Sequence, residues 1–231
     1  MSKKSTQIQP AILAPMGLKA DAALFFVENE VVFQGVGNDG VEQIKFISPA
    51  TLREAFAKEP MDSGWLPAGV NRCGSSSKGD WMVRWHEPAI YTVHLADRKK
   101  PIRVPMPSLI WLGIKNNYYI FAAREAKFTP NAALYAAPVA NVGGIGLICF
   151  GKNPHPDVAK GGFERSWRTF WEAPFNNDHD DGKSKAFPDA VNKQLLKLDK
   201  EKATAYPLKD LVSLSTNLDT ALQRLTRRDR A

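Results

Sequence analysis

The sequence predicts an α+β fold with its strands first and its helices last. Three observations carry this reading. Alternating or continuous apolar runs of strand length cluster before residue 124, with Trp81, Val83 and Trp85 set against Met82, Arg84 and His86. Helical spacing appears only later, where Phe163, Trp167, Phe170 and Trp171 fall at intervals of four, three and one. Strands and helices do not alternate along the chain, which argues against a doubly wound α/β sheet.

Taken in order, residues 1–20 read as a flexible lead. Ala22 to Gln34 reads as a hairpin turning at Glu28-Asn29-Glu30, and Gln43 to Ile47 as a further strand. Ser48-Pro49 opens a short helix over Ala50 to Lys58, with Ser48 as cap and Pro49 at the first helical position. Pro60 to Lys78 is rich in Pro, Gly and Ser and reads as a loop, with Cys73 exposed among small polar neighbours. Asp80 to His86, Pro105 to Ile114 and Tyr118 to Ala123 form an antiparallel meander, the last two joined by a turn at Asn116-Asn117. Pro101, Pro105 and Pro107 flank or interrupt this meander.

Regular structure thins from Pro130 to Pro156. The aromatic stripe from Phe163 to Trp171 is a helix face packed on the sheet. Pro174 to Pro188 is a polar loop. Asp189 caps a helix carrying Val191, Leu195 and Leu198. Pro207 opens a final helix with Leu211, Leu214, Leu218, Leu222 and Leu225 on one face, ending in Arg224, Arg227, Arg228 and Arg230. The domain boundaries follow: a lead over 1–20, an α+β domain over 21–188 and a C-terminal helical extension over 189–231.

The chain has 231 residues, enough for one domain with a substantial core, and six Trp and twelve Phe supply bulky core material. Its net charge of +7 favours an acidic partner, protein or nucleic acid, without choosing between them. The two cysteines, Cys73 and Cys149, make no disulfide framework, and the four histidines stand at no metal-ligand spacing from them. Ile8 to Met16 is broken by Pro10 and Pro15 and lacks a signal-peptide core. No run approaches the length of a membrane span. A reducing cytoplasm is the expected location, and it would keep Cys149 a free thiol.

Chemistry concentrates in Asn141-Val-Gly-Gly-Ile-Gly-Leu-Ile-Cys149-Phe-Gly-Lys-Asn-Pro154. A cysteine after an apolar run, amid glycines and before a proline-rich turn, can be presented to a large partner. A buried thiol acting as a small hydrophobe is the alternative. Asn141, eight positions earlier, carries an amide able to steady an oxyanion. Gly146 to Asn153 approaches a phosphate-binding loop but fails twice. Asn153 replaces the magnesium-binding hydroxyl, and Pro154 and Pro156 stand where a helix must begin. No cofactor or metal is expected. Asp178, Asp180 and Asp181 flank His179. That loop is either a general base near the thiol or a solvated polar segment.

The order of elements and the cysteine segment resemble the ubiquitin-conjugating (E2) fold, with its β-meander, extended thioester-cysteine segment and C-terminal helices. Asn141 and Gly146-Leu-Ile-Cys149 match the family's Asn-to-Cys spacing, while Val139-Ala140 stands where the family has His-Pro. The closer resemblance is to the bacterial E2-like family of PRTRC system protein B, prokaryotic E2 family D. It rests on Trp81 to Trp85, Pro107-Ser-Leu-Ile-Trp-Leu-Gly113, Tyr118-Tyr-Ile-Phe-Ala122 and Leu134-Tyr-Ala-Ala-Pro138 with Asn141. Cys149-Phe-Gly-Lys-Asn153 and the aromatic helix running into Phe170 to His179 complete it.

The resemblance implies that a ThiF/E1-like enzyme loads a ubiquitin-like protein onto Cys149 as a thioester, which is then handed to an acceptor. It implies Asn141 as the oxyanion donor and His179 as the group that deprotonates or positions the acceptor. Family members are typically encoded on plasmids and mobile elements beside such partners and a JAB-type peptidase. Two other readings stand beside it. One is a non-catalytic E2-like adaptor, which an inert Cys149→Ala phenotype would favour. The other is a nucleic-acid binder using Arg98-Lys-Lys100 and the C-terminal arginines, which salt-dependent DNA affinity would favour.

Overall fold

A computed structural model describes residues 22–27, 30–36, 40–49, 51–52, 69–76, 78–153 and 155–226. The chain forms two compact units, Met1–Gly64 and Trp65–Ala231. The α+β class is borne out. In the first unit β1 (Ala22–Val27), β2 (Glu30–Val36) and β3 (Glu42–Ile47) make an antiparallel sheet in that order. Val27 pairs directly with Glu30, so Glu30 of the expected turn belongs to β2, while Glu28 and Asn29 lie outside the described residues. Ser48 starts a helical turn: its Oγ accepts from the Thr51 N–H at 3.1 Å and its carbonyl from the Leu52 N–H at 3.0 Å. The 1–20 lead and the rest of that short helix lie outside the described residues.

The second unit holds a six-stranded antiparallel sheet in the order β11-β10-β9-β8-β5-β4, and a hairpin of β6 (Ala89–Val93) with β7 (Ile102–Met106). The sheet strands are β4 (Val70–Ser76), β5 (Gly79–His86), β8 (Ser108–Ile114), β9 (Asn117–Ala123), β10 (Ala133–Ala136) and β11 (Ser213–Asn217). Among the described residues three helices accompany it: α1 (Gly162–Glu172), α2 (Val191–Lys200) and α3 (Leu218–Thr226).

β8 organises the core, because all seven of its residues are buried. Leu109 and Trp111 face a core shared with Phe163, Phe170 and Trp171 of α1 and Leu195 and Leu198 of α2. Ile110, Leu112 and Ile114 face the opposite core, with Trp81, Val83, Trp85, Leu134 and the α3 residues Leu218 and Leu222. Each fully buried aliphatic contributes about 1.5–3 kcal/mol. The predicted aromatic stripe is thus a core face. Beside it His86 stacks on Trp167, centroids 3.8 Å apart, and Arg84 pairs with Glu164.

Four local expectations are corrected. Residues 70–76 are not loop but strand β4, with Cys73 paired opposite Met82 and half-buried. The turn between β8 and β9 is one residue earlier than Asn116-Asn117, because Ile114 pairs with Asn117 and Lys115 takes φ 54°. Asp189 does not cap α2. The Asp180 carboxylate, buried in the loop before it, accepts from the Asn192 N–H at 3.0 Å. Finally, no helix runs from Pro207 through Leu225. A 3-10 turn at Leu208–Asp210 is pinned by the buried Asp210 carboxylate, which takes Ser184 Oγ at 2.9 Å, the Ala186 N–H at 2.8 Å and Tyr206 Oη at 2.7 Å. The next residues fill the open edge of β10 as β11, and helix begins only at Leu218. Arg227, Arg228 and Arg230 lie outside the described residues.

Candidate functional site

The cysteine segment is a hairpin-like loop whose register explains the eight-residue spacing. The Cys149 N–H donates to the Asn141 carbonyl at 2.9 Å, Val142 bridges Ile148, and the Gly143 N–H donates to the Leu147 carbonyl at 2.8 Å. Asn141 and Cys149 are therefore cross-strand partners at the base of the loop. The returning arm lies along β9 beyond the point where β10 ends. The Ile148 N–H donates to the Tyr118 carbonyl and the Ile120 N–H to the Gly146 carbonyl, each at 2.9 Å.

Alternation then sets exposure. Gly146, Ile148 and Phe150 turn into the sheet, while Ile145, Leu147 and Cys149 turn outward, with Ile145 67% exposed. Cys149 is exposed, so the buried-thiol alternative does not hold. Gly146 is required twice over. Its φ is +83°, and a Cβ there would collide with the Phe121 ring and sit 3.0 Å from the Ile120 carbonyl oxygen.

Cys149 opens onto a shallow hollow of about 200 Å³, lined also by Asn141, Lys152, Pro174, Asn176 and Asp178. Asn141 adopts φ 60°, a left-handed conformation that Asn tolerates better than most residues. Its amide is fastened to the segment leaving α1: Nδ2 donates to the Pro174 carbonyl at 3.1 Å, and Oδ1 accepts from the Asn176 N–H at 3.4 Å. Nδ2 carries two hydrogens, and this is its one hydrogen bond among the described residues. The Asn141 N–H donates to the Asp178 carbonyl at 2.9 Å. Asn176 and Asp178 brace each other, Asn176 Nδ2 donating to the Asp178 carboxylate at 2.7 Å and the Asp178 N–H to Asn176 Oδ1 at 2.8 Å.

Cys149 and Asn141 thus share one hollow. His179 is exposed and lines a neighbouring hollow of about 220 Å³, with Gly143, Gly144, Asp181 and Lys183. Burial holds the Lys183 ammonium below the ordinary lysine range, against the pull of Asp181 and then Asp180. Nothing in the sequence marks Asn176 and Asp178 as neighbours of the thiol. The polar run 175–181 was the only local signal, and tertiary packing of the α1 exit against Asn141 brings it there. Among the described residues no group of three His, Cys, Asp or Glu is gathered for a metal ion, and no helix is long and apolar enough to cross a membrane. Cys149 is followed by a turn and a 3-10 segment at Val158–Lys160, not by the helix a phosphate loop needs.

An antiparallel sheet packed on helices, with an exposed cysteine on an extended segment beside it, is an E2-like α+β arrangement. The model of the family described as prokaryotic E2 family D matches residues 43–214, and the chain belongs to that family. Neither a curated protein nor a solved structure matches the chain.

Proposed function

We propose that this protein is an E2-like carrier that holds a ubiquitin-like protein as a thioester on Cys149 and passes it to an amine. The observation that carries this reading is the exposed Cys149 sharing a hollow with an anchored Asn141 amide that keeps an N–H to spare. The Cys149 sulfur attacks the thioester carbonyl presented by a ThiF/E1-like enzyme, and the enzyme's sulfur leaves. An acceptor amine then attacks the new thioester. Negative charge develops on the carbonyl oxygen, where the spare Asn141 N–H donates.

Asp178, at the rim of the same hollow, attracts the acceptor's ammonium and takes its proton on transfer. His179 positions the acceptor from the adjoining hollow. A ubiquitin-like protein and an E1-like enzyme are the partners of this reading, and a JAB-type peptidase would reverse the product.

The test uses purified protein with its E1-like enzyme, modifier and ATP on a non-reducing gel. A band shifted by the modifier, lost on adding thiol and absent in Cys149→Ala, is expected. An active E1-like enzyme that binds the protein without producing this band would overturn the carrier role and favour the adaptor.

A further inference from the structure

The hollow that exposes Cys149 also holds an amine. Among the described residues Lys152 is the one lysine lining it. Its position is set by a tight turn: the Asn153 N–H donates to the Phe150 carbonyl at 3.1 Å, and Gly151 takes φ 59°. Two residues, Phe150 and Gly151, and one reversal separate nucleophilic sulfur from exposed amine.

We infer that Lys152 is an acceptor in cis, so that a charged carrier left without an external acceptor moves its acyl group from Cys149 to its own Lys152. This rests on the carrier reading above and adds a self-limiting branch to it. The Lys152 nitrogen, in its free-base form, attacks the thioester carbonyl carbon. The tetrahedral intermediate collapses, the C–N bond forms and the C–S bond breaks, and Cys149 is released as a thiol with the proton the amine loses. No oxidant or reductant is needed. The product is an amide that fills the hollow and is not reversed by thiols. Proximity favours this branch, because an amine lining the same hollow as the sulfur meets the carbonyl at a high effective concentration.

The test needs no partner protein. The full chain is treated with the N-acetylglycyl thioester of mercaptoethanesulfonate, which acylates Cys149 by thiol exchange. It is then washed with hydroxylamine, digested and mapped by mass spectrometry. The expected result is a hydroxylamine-resistant acetylglycyl group on Lys152, roughly tenfold or more above the exposed Lys160 and Lys193. It should be absent from Cys149→Ala, and the labile adduct on Cys149 should live longer in Lys152→Arg. Acyl-Cys149 with unmodified Lys152 overturns the inference and leaves the carrier reading standing. Equal labelling of Lys152 in Cys149→Ala also overturns it, since the amine would then react directly. An unacylated Cys149 overturns both.

Discussion

Gly146 holds the cysteine segment against β9, and its replacement by Ala should loosen the site from within. Two costs add. Forcing a side chain into φ +83° costs about 1–2 kcal/mol. The new Cβ must also displace the Phe121 ring, 3% exposed in the core beneath α3, and overpacking of that kind costs about 1–3 kcal/mol. The sum is about 2–5 kcal/mol, or a fall in Tm of about 4–20 °C for a unit of this size.

Gly144→Ala is the internal control. It lies two residues away in the same loop, its φ is not left-handed, and a Cβ there meets nothing within 4 Å. It should change Tm by no more than about 1 °C. Thermal melts of the two variants, with reaction of Cys149 toward an aromatic disulfide in a Cys73→Ser background, read both stability and presentation of the thiol. Equal stability of the two variants would refute the argument that Gly146 docks this segment on Phe121 and Ile120.

Three further outcomes follow from the site and its surroundings. Asn141→Gly keeps the left-handed backbone but removes the amide, so charging of Cys149 should persist while single-turnover discharge to an amine slows about 10²-fold. Asp178→Asn should raise the free-lysine concentration needed for half-maximal discharge about fivefold, the effect of one exposed charge pair, with charging unaffected. The His86 imidazole, desolvated and next to Arg84 despite Glu164, is lowered to about 4. The folded protein therefore keeps it neutral while the unfolded chain binds a proton from about pH 6.5 downward. Stability is full above that value and falls by up to about 3 kcal/mol as pH drops toward 4. His86→Phe, which retains a ring against Trp167, should flatten that fall between pH 6.5 and 4.5 in urea titrations, where an unchanged slope would place the acid sensitivity elsewhere.

The sequence made the central strands visible because β5 and β8 are packed from side chains that announce themselves: Trp81, Val83 and Trp85 alternate, and Leu109 to Leu112 run unbroken. The Asn141-to-Cys149 spacing was equally readable, since a hairpin register fixes it. What stayed hidden depends on distant partners. β4 ends in Arg-Cys-Gly-Ser-Ser and forms a strand only because β5 offers an edge. Leu211, Leu214 and Leu218 keep helical spacing yet belong to a turn, a strand and a helix, because the Asp210 network and the edge of β10 override local preference. Asp180 displaces Asp189 as the α2 cap because its loop folds back over the helix end. Asn176 and Asp178 reach Cys149 only through the Asn141 anchor. Position along the chain carried no sign of this.

The most direct measurement of the account is the intact mass of wild type, Cys149→Ser and Cys73→Ser after incubation with E1-like enzyme, modifier and ATP, before and after hydroxylamine. The account predicts one added modifier, less one water, in wild type and Cys73→Ser. Hydroxylamine removes it, apart from any fraction already moved to Lys152, and Cys149→Ser carries at most a slower-forming oxygen ester. An unchanged mass for wild type while the E1-like enzyme visibly consumes ATP and modifier, or an adduct that follows Cys73, would contradict it.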